Sequence, residues 1–274
     1  MRFGFVTCVQ IGLSCMDEIY REGGKLDLAI TLPDDVARDK SGRVYLDTFC
    51  NKRKIHLIKT PNVNNNEVIE AALDLDWLFI IGWSQIARER LLDAPKCGVL
   101  GIHPTLLPVG RGRAAIPWAI LKGLDETGVT LFKLDTGVDT GPIVAQRRIE
   151  LASDETASGL YEKVNDEHRA LIRDAWPRLA SGEVEFSPQD DSAATVWPGR
   201  KPEDGEILRS MTVYEVDRLV RAVTRPYPGA FLDQRGHRLR VWAGAPGMSG
   251  SGVRIDCADG VFTATDTTVE SIPA

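Results

Sequence analysis

Asp76-Trp77-Leu78-Phe79-Ile80-Ile81-Gly82 sets five apolar residues in a row between a charged residue and a glycine. A run this short and this uniformly apolar suits a strand buried on both faces, as in the parallel sheets of α/β domains. The flanks agree. On the amino-terminal side, Arg2–Thr7, Leu26–Thr31 and Ile55–Lys59 read as further strands, with helices at Gly12–Glu22 and Asn65–Leu73. On the other side, Cys97–His103, Val129–Leu134 and Ile143–Ile149 read as strands. Thr156–Leu179 reads as a long amphipathic helix, in which Leu160, Val164, His168, Leu171 and Trp176 recur at helical spacing. Alternation of strand and helix over the first 150 residues predicts parallel βαβ units, hence an α/β, Rossmann-like parallel-sheet domain.

Composition changes after that helix. Ser187–Pro202 contains three prolines and the polar run Gln189-Asp190-Asp191, which reads as a linker. Beyond it, Thr212–Val223 reads as a helix. Phe231–Asp233, Leu239–Trp242, Val253–Asp256 and Val261–Thr265 read as short strands separated by glycines, as in a small β-rich, barrel-like (OB-like) domain. The expected division is 1–186 for the α/β domain and 187–274 for the β-rich one.

The 274 residues suffice for one large domain and a small one. Hydrophobic residues at 43% and charged residues at 26% describe a folded, soluble chain. A net charge of -6 disfavours a general nucleic-acid binder. No apolar run approaches the roughly 20 residues of a membrane span, and Met1–Thr7 does not read as a signal peptide. The five cysteines form no C-x-x-C pair and leave one over if paired, which fits free thiols in a reducing, cytoplasmic setting. The four histidines have no close His/Cys spacing and give no metal signature.

Chemistry is concentrated in Gly101-Ile102-His103-Pro104-Thr105-Leu106-Leu107-Pro108, followed by Val109-Gly110-Arg111-Gly112-Arg113. The strand delivers His103 to its carboxyl end, the edge at which open parallel sheets bind ligands. Arg111 and Arg113 add a local positive charge suited to carboxylate or phosphate. Asp139-Thr140-Gly141 marks a tight turn between two expected strands, on the same side of the sheet as His103. An aspartate there can hold an imidazole tautomer and make it a proton shuttle. Trp77, Phe79 and Trp118 read as core, whereas His56, His168 and His237 read as structural or solvent-facing.

The run from Trp77 to Glu150 resembles the formyltransferase family, which includes methionyl-tRNA, glycinamide ribonucleotide and sugar N-formyltransferases. The matching pieces, in order, are Gly82-Trp83-Ser84-Gln85-Ile86, His103–Pro108, Arg111-Gly112-Arg113-Ala114, Gly128-Val129-Thr130-Leu131 and Asp139-Thr140-Gly141-Pro142. The stretch Arg221–Phe231 also resembles two-domain members. The resemblance implies N10-formyltetrahydrofolate as formyl donor and His103 and Asp139 as catalytic residues. It implies cofactor-binding positions at Gln85, Ile86 and Ala87, at Thr105, Leu106, Leu107 and Pro108, and at Asp135, Thr136, Gly137 and Val138. Arg113 matches a ligand contact of sugar-modifying relatives. The implied reaction is attack of a neutral amine on the formyl carbon through a tetrahedral intermediate, with His103 relaying the proton and Asp139 orienting it.

One position departs from the family pattern Asn-x-His, whose Asn supplies a hydrogen bond to the developing oxyanion. This chain has Gly101 there. Another donor or a water takes that place, or the enzyme is slow, or the chain binds folate without this chemistry. The acceptor implied first is a small-molecule amine, a nucleotide-linked amino sugar. Methionyl-tRNA comes second, a siderophore hydroxylamine or amino acid third, and a non-catalytic folate-binding module stands as the reading from another class. A homodimer is left open.

Overall fold

A computed structural model of the chain describes residues 1–38, 42–234, 236–247 and 251–271. In chain order, the first elements are β1 (Phe3–Val6), α1 (Gln10–Arg21), β2 (Leu28–Thr31), α2 (Asp47–Arg53), β3 (His56–Lys59), α3 (Asn66–Ala72) and β4 (Trp77–Ile80). They are followed by α4 (Glu89–Leu92), β5 (Gly98–His103), β6 (Arg111–Gly112), α5 (Ala115–Leu121), β7 (Glu126–Lys133), β8 (Ile143–Glu150) and α6 (Ala157–Ser181). The remainder comprises β9 (Val196–Trp197), α7 (Val213–Val223), β10 (Ala230–Gln234), β11 (His237–Pro246), β12 (Val253–Asp256) and β13 (Val261–Ser271).

The main sheet has seven strands in the order β3-β2-β1-β4-β5-β7-β8. The pairs β1–β2, β2–β3, β1–β4 and β4–β5 are parallel, the doubly wound arrangement expected from the apolar run at Trp77. All four residues of β1, β2 and β4 are buried. Phe5 and Phe79 are register partners on β1 and β4, both fully buried, and their rings stack with centroids 5.5 Å apart. Burying each of these side chains stabilises the sheet by about 2–3 kcal/mol.

Direction changes at β7, which runs antiparallel to β5 with His103 opposite Thr130 and Leu100 opposite Lys133. The sheet is thus parallel from β3 through β5, as expected, and mixed at this edge. Only residues 134–142 connect β7 to β8, too few for the dozen or more that a parallel crossover needs.

By compactness the chain divides into two units that interleave along the sequence, whereas the sequence expectation cuts once after residue 186. The first holds Met1–Arg111, Gly128–Ile149 and Val164–Val196; the second holds Gly112–Thr127, Glu150–Lys163 and Trp197–Ala274. In the second, β10-β11-β13-β12 form a separate antiparallel sheet. Register shifts in β11 between Val241 and Gly244 bend it, and a Cβ at Gly244 would meet the Phe262 ring at 2.4 Å. The α7 helix covers this sheet with Val216, Leu219, Val220 and Val223 buried. Its start is set by sequence: the Glu215 carboxylate accepts from the Thr212 N–H at 2.7 Å, and Thr212 Oγ1 accepts from the Glu215 N–H at 3.3 Å. Such a cap is worth about 1 kcal/mol.

Among the described residues, all five cysteines are unpaired and no helix is long and apolar enough to cross a membrane. His168 is buried in α6, its Nδ1 donating to the Val164 carbonyl at 2.7 Å. Burial pushes its pKa from the usual 6.5 down to about 4, against the Val164 carbonyl that favours the charged form, and the nearby His103 adds to the fall. Unfolded, His168 binds a proton below about pH 6.5; folded, it does so only near pH 4. The unfolded state therefore gains the proton first, and stability drops with falling pH through that window by up to about 3 kcal/mol. Between pH 7 and 4.5, the denaturant midpoint of wild type should fall more steeply than that of His168→Leu. Equal slopes would show that His168 is not held neutral.

Candidate functional site

All six residues of β5 are buried, and the strand ends on His103, itself 8% exposed. The loop after it is folded back by one side chain. Thr130, opposite His103 on β7, donates from Oγ1 to the Thr105 carbonyl at 2.7 Å. The same oxygen accepts from the Leu107 N–H at 3.1 Å and from Gln146 Nε2 at 2.9 Å. Gln146 also donates to the Leu107 carbonyl at 2.8 Å, and the Leu107–Pro108 peptide is cis. This returns the chain so that the Gly110 carbonyl stands 2.8 Å from His103 Nε2. A carbonyl only accepts, so Nε2 carries a hydrogen and the other ring nitrogen is the one left for chemistry. That nitrogen, Nδ1, lies 3.6 Å from Asp139 Oδ2, with both side chains largely enclosed.

Asp139 reaches this place on the loop between β7 and β8. The loop starts opposite the beginning of β5, where the Leu134 N–H bonds the Val99 carbonyl. Asp135 Oδ1 accepts from the Gly137 N–H at 3.1 Å and from Thr140 Oγ1 at 2.7 Å. Asp139 takes a left-handed backbone, φ +56°. At Gly141 any Cβ would fall 1.8 Å from the Lys133 carbonyl oxygen, so only glycine permits the return into β8.

The remaining expected positions fall in three places. Gln85, Ile86 and Ala87 follow β4 and are ordered by the loop before α3. Gln85 Oε1 accepts from the Val63 N–H at 2.9 Å, and Asn64 Nδ2 donates to the Ile86 carbonyl at 2.9 Å. Asp135, Thr136, Gly137 and Val138 are exposed, whereas Thr105 and Leu107 are buried and Leu106 and Pro108 half-buried. Arg113 belongs to the second unit, where its side chain is exposed and its N–H donates to the Trp197 carbonyl at 3.2 Å. Within the first unit, the structure brings His103 and Asp139 together directly. It joins Thr105 and Leu107 to the same centre through Thr130.

Ile86 and Val138 expose apolar side chains, 74% and 56% accessible. Trp83 Nε1, just past β4, and Thr105 Oγ1 are buried with no hydrogen-bond partner among the described residues. Buried polar atoms of this kind call for a partner.

Two readings change in detail. Arg111 is not offered to a ligand: it is buried, and its guanidinium donates to Gln189 Oε1 and to Asp191. Trp118 is only half-buried, with Lys122 and Arg200 against its ring, rather than core. At Gly101 a Cβ would meet Leu134 Cδ2 at 2.8 Å, so the apolar Leu134 side chain occupies the room that a larger residue would need. Sequence reading missed Thr130, Gln146, Gln189 and Thr195 as parts of the site. A buried threonine inside Val129-Thr130-Leu131-Phe132 was the available signal.

With this geometry in hand, comparisons with known proteins place the chain. A family model described as formyl transferase matches residues 33–175, more than half of the chain, and one described as formyl transferase, C-terminal domain, matches residues 200–267. Among solved structures, methionyl-tRNA formyltransferase from Clostridium thermocellum is 19% identical, with TM-score 0.67 over 99% of each chain. The N-formyltransferase from Helicobacter canadensis, solved with folinic acid and dTDP-3-aminofucose, is 18% identical with TM-score 0.70, over 97% of this chain and 99% of that one. HypX from Aquifex aeolicus, solved with tetrahydrofolic acid, is 18% identical with TM-score 0.68 over 97% of this chain but only 44% of its own length. Matched by both models in their order along the sequence, this chain belongs to the formyl transferase family and is an enzyme of that class.

Proposed function

We propose that this chain transfers a formyl group from N10-formyltetrahydrofolate to a primary amine, and that the amine belongs to a nucleotide-linked amino sugar. The observation that carries the transfer is the His103–Asp139 pair, with Nδ1 set 3.6 Å from the carboxylate and Nε2 committed to Gly110. The bound folate would supply the formyl carbon. Its pterin would be held by Gln85–Ala87 and Asp135–Val138, with Thr105–Pro108 beside it.

In this reading His103 holds or accepts a proton at Nδ1 as the amine loses it. Asp139 opposes the positive charge then carried by the ring, which in an enclosed site counts for more than in water. Among acceptors, support for a nucleotide sugar comes from the relative solved with dTDP-3-aminofucose, from the exposed Arg113, and from a net charge of -6 that disfavours tRNA. Methionyl-tRNA is the second reading, supported by end-to-end likeness to an enzyme of that name.

A panel of nucleotide amino sugars, amino acids and methionyl-tRNA, each offered with formyl donor, tests this directly. A nucleotide sugar should be turned over best. Preference for methionyl-tRNA, with binding that weakens steeply as salt rises, would instead promote the second reading. His103→Asn and Asp139→Asn should each lower turnover by about 10²–10⁴, the range of a lost general acid–base group, while a stable folate analogue still binds. Near-normal turnover in either variant would remove the pair from the chemistry.

Gly101 yields a separate prediction. Gly101→Asn alone should slow the enzyme, because its Cβ meets Leu134. Adding Leu134→Ala should raise turnover by at least about tenfold over the single variant, within what one oxyanion donor supplies. A fast Gly101→Asn enzyme with Leu134 intact would refute the steric account.

A further inference from the structure

Gln189 lies in the segment that reads as linker, yet its amide is fully engaged at the Asp139 turn. Nε2 donates to the Asp139 carbonyl at 2.9 Å and to the Gly141 carbonyl at 2.7 Å. Oε1 accepts from Arg111 Nε at 3.1 Å and Nη2 at 2.8 Å. Carbonyls only accept and a guanidinium only donates, so the amide has a single allowed orientation. Arg111 is itself fixed, by Asp191 at 2.7 Å and by its own N–H on the Thr195 carbonyl at 2.9 Å.

What the clamp holds is the Asp139 turn, which the Asp135 carboxylate ties from within through the Gly137 N–H and Thr140 Oγ1. Asp139 takes the left-handed region, which costs a residue with a Cβ some energy although aspartate tolerates it better than most. The two carbonyls bonded by Gln189 bracket Thr140, immediately after Asp139 in the chain. The same segment reaches the histidine side as well: Thr195 Oγ1 accepts from the Gly110 N–H at 2.8 Å, and Gly110 presents its carbonyl to His103 Nε2. We propose that Gln189 is a positioning residue that sets the Asp139 carboxylate against His103 Nδ1. This rests on the assignment of His103 and Asp139 as the catalytic pair. Glutamate cannot replace Gln189 in this role. It would accept from Arg111 but has no N–H for the two carbonyls, and would place negative charge against them.

The test uses the full chain with Gln189→Glu, which keeps the shape, and Gln189→Leu, each alone and combined with Asp139→Asn. Both single variants should melt as folded proteins and lose about 10–10² in kcat, as expected for a misplaced catalytic group. In the Asp139→Asn background the same substitutions should cost less than about twofold, because the group being positioned is already gone. In nitrogen NMR of the imidazole, the His103 Nδ1 resonance should move from its wild-type value towards that of Asp139→Asn. An unchanged Nδ1 resonance, or an equal loss in both backgrounds, would overturn the proposal. Loss of the fold in both variants would also overturn it, in favour of a structural role. If wild type formylates no amine, the proposed function falls and the NMR comparison alone decides the role of Gln189.

Discussion

Gly110 presents its carbonyl oxygen to His103 Nε2 at 2.8 Å, and because a carbonyl has no hydrogen to give, the imidazole has one face left. The rest of the carboxyl edge serves that contact. The loop must fold back within eight residues of the strand end, and its peptide groups are buried as it does so. Thr130 makes this affordable by bonding three partners from one hydroxyl, two of them in the loop. Thr130 stands on β7, the strand that breaks the parallel pattern, and Gln146 on its neighbour β8. Reversal of direction in the sheet and the commitment of His103 Nε2 to Gly110 are therefore two aspects of one arrangement.

Much of the fold is legible in the sequence. The five-residue apolar run at Trp77, the strands β1 and β2 and the strand ending at His103 are each buried on both faces, and such strands announce themselves by continuous hydrophobicity. The α7 start is equally plain from Thr212 and Glu215. The helices α2, α4 and α5 were not read from the sequence, whereas α3, no longer than α2 or α5, was. Strand direction at β7 escaped because an apolar run carries no polarity along the chain.

Half of the site was legible too. His103 and Asp139 stand beside glycines and prolines that mark unusual backbone, and the structure brings them together as read. Gln189 was hidden because a polar residue in a polar stretch looks solvated whatever its side chain touches. The two arginines at 111 and 113 illustrate the same difficulty. They are alike in charge and only two positions apart in sequence, yet one is buried as an internal strut and the other is exposed. Burial of His168 adds a feature no pattern announces: a second imidazole close to His103 that stays uncharged in neutral water.

The interleaving of the two compact units bears on how the chain is made. A ribosome releases the sequence in order, and segments usually fold as their partners emerge. Strands β1 to β5 can assemble early, and His103 with them. The first unit, however, is not complete until its last segment, Val164–Val196, has left the tunnel, by which time two stretches of the second unit are already exposed. The contacts from Gln189 and Thr195 to the Asp139 turn and the Gly110 peptide arrive with that segment. A nascent chain therefore carries all seven strands of its main sheet before the segment that braces the Asp139 turn has emerged.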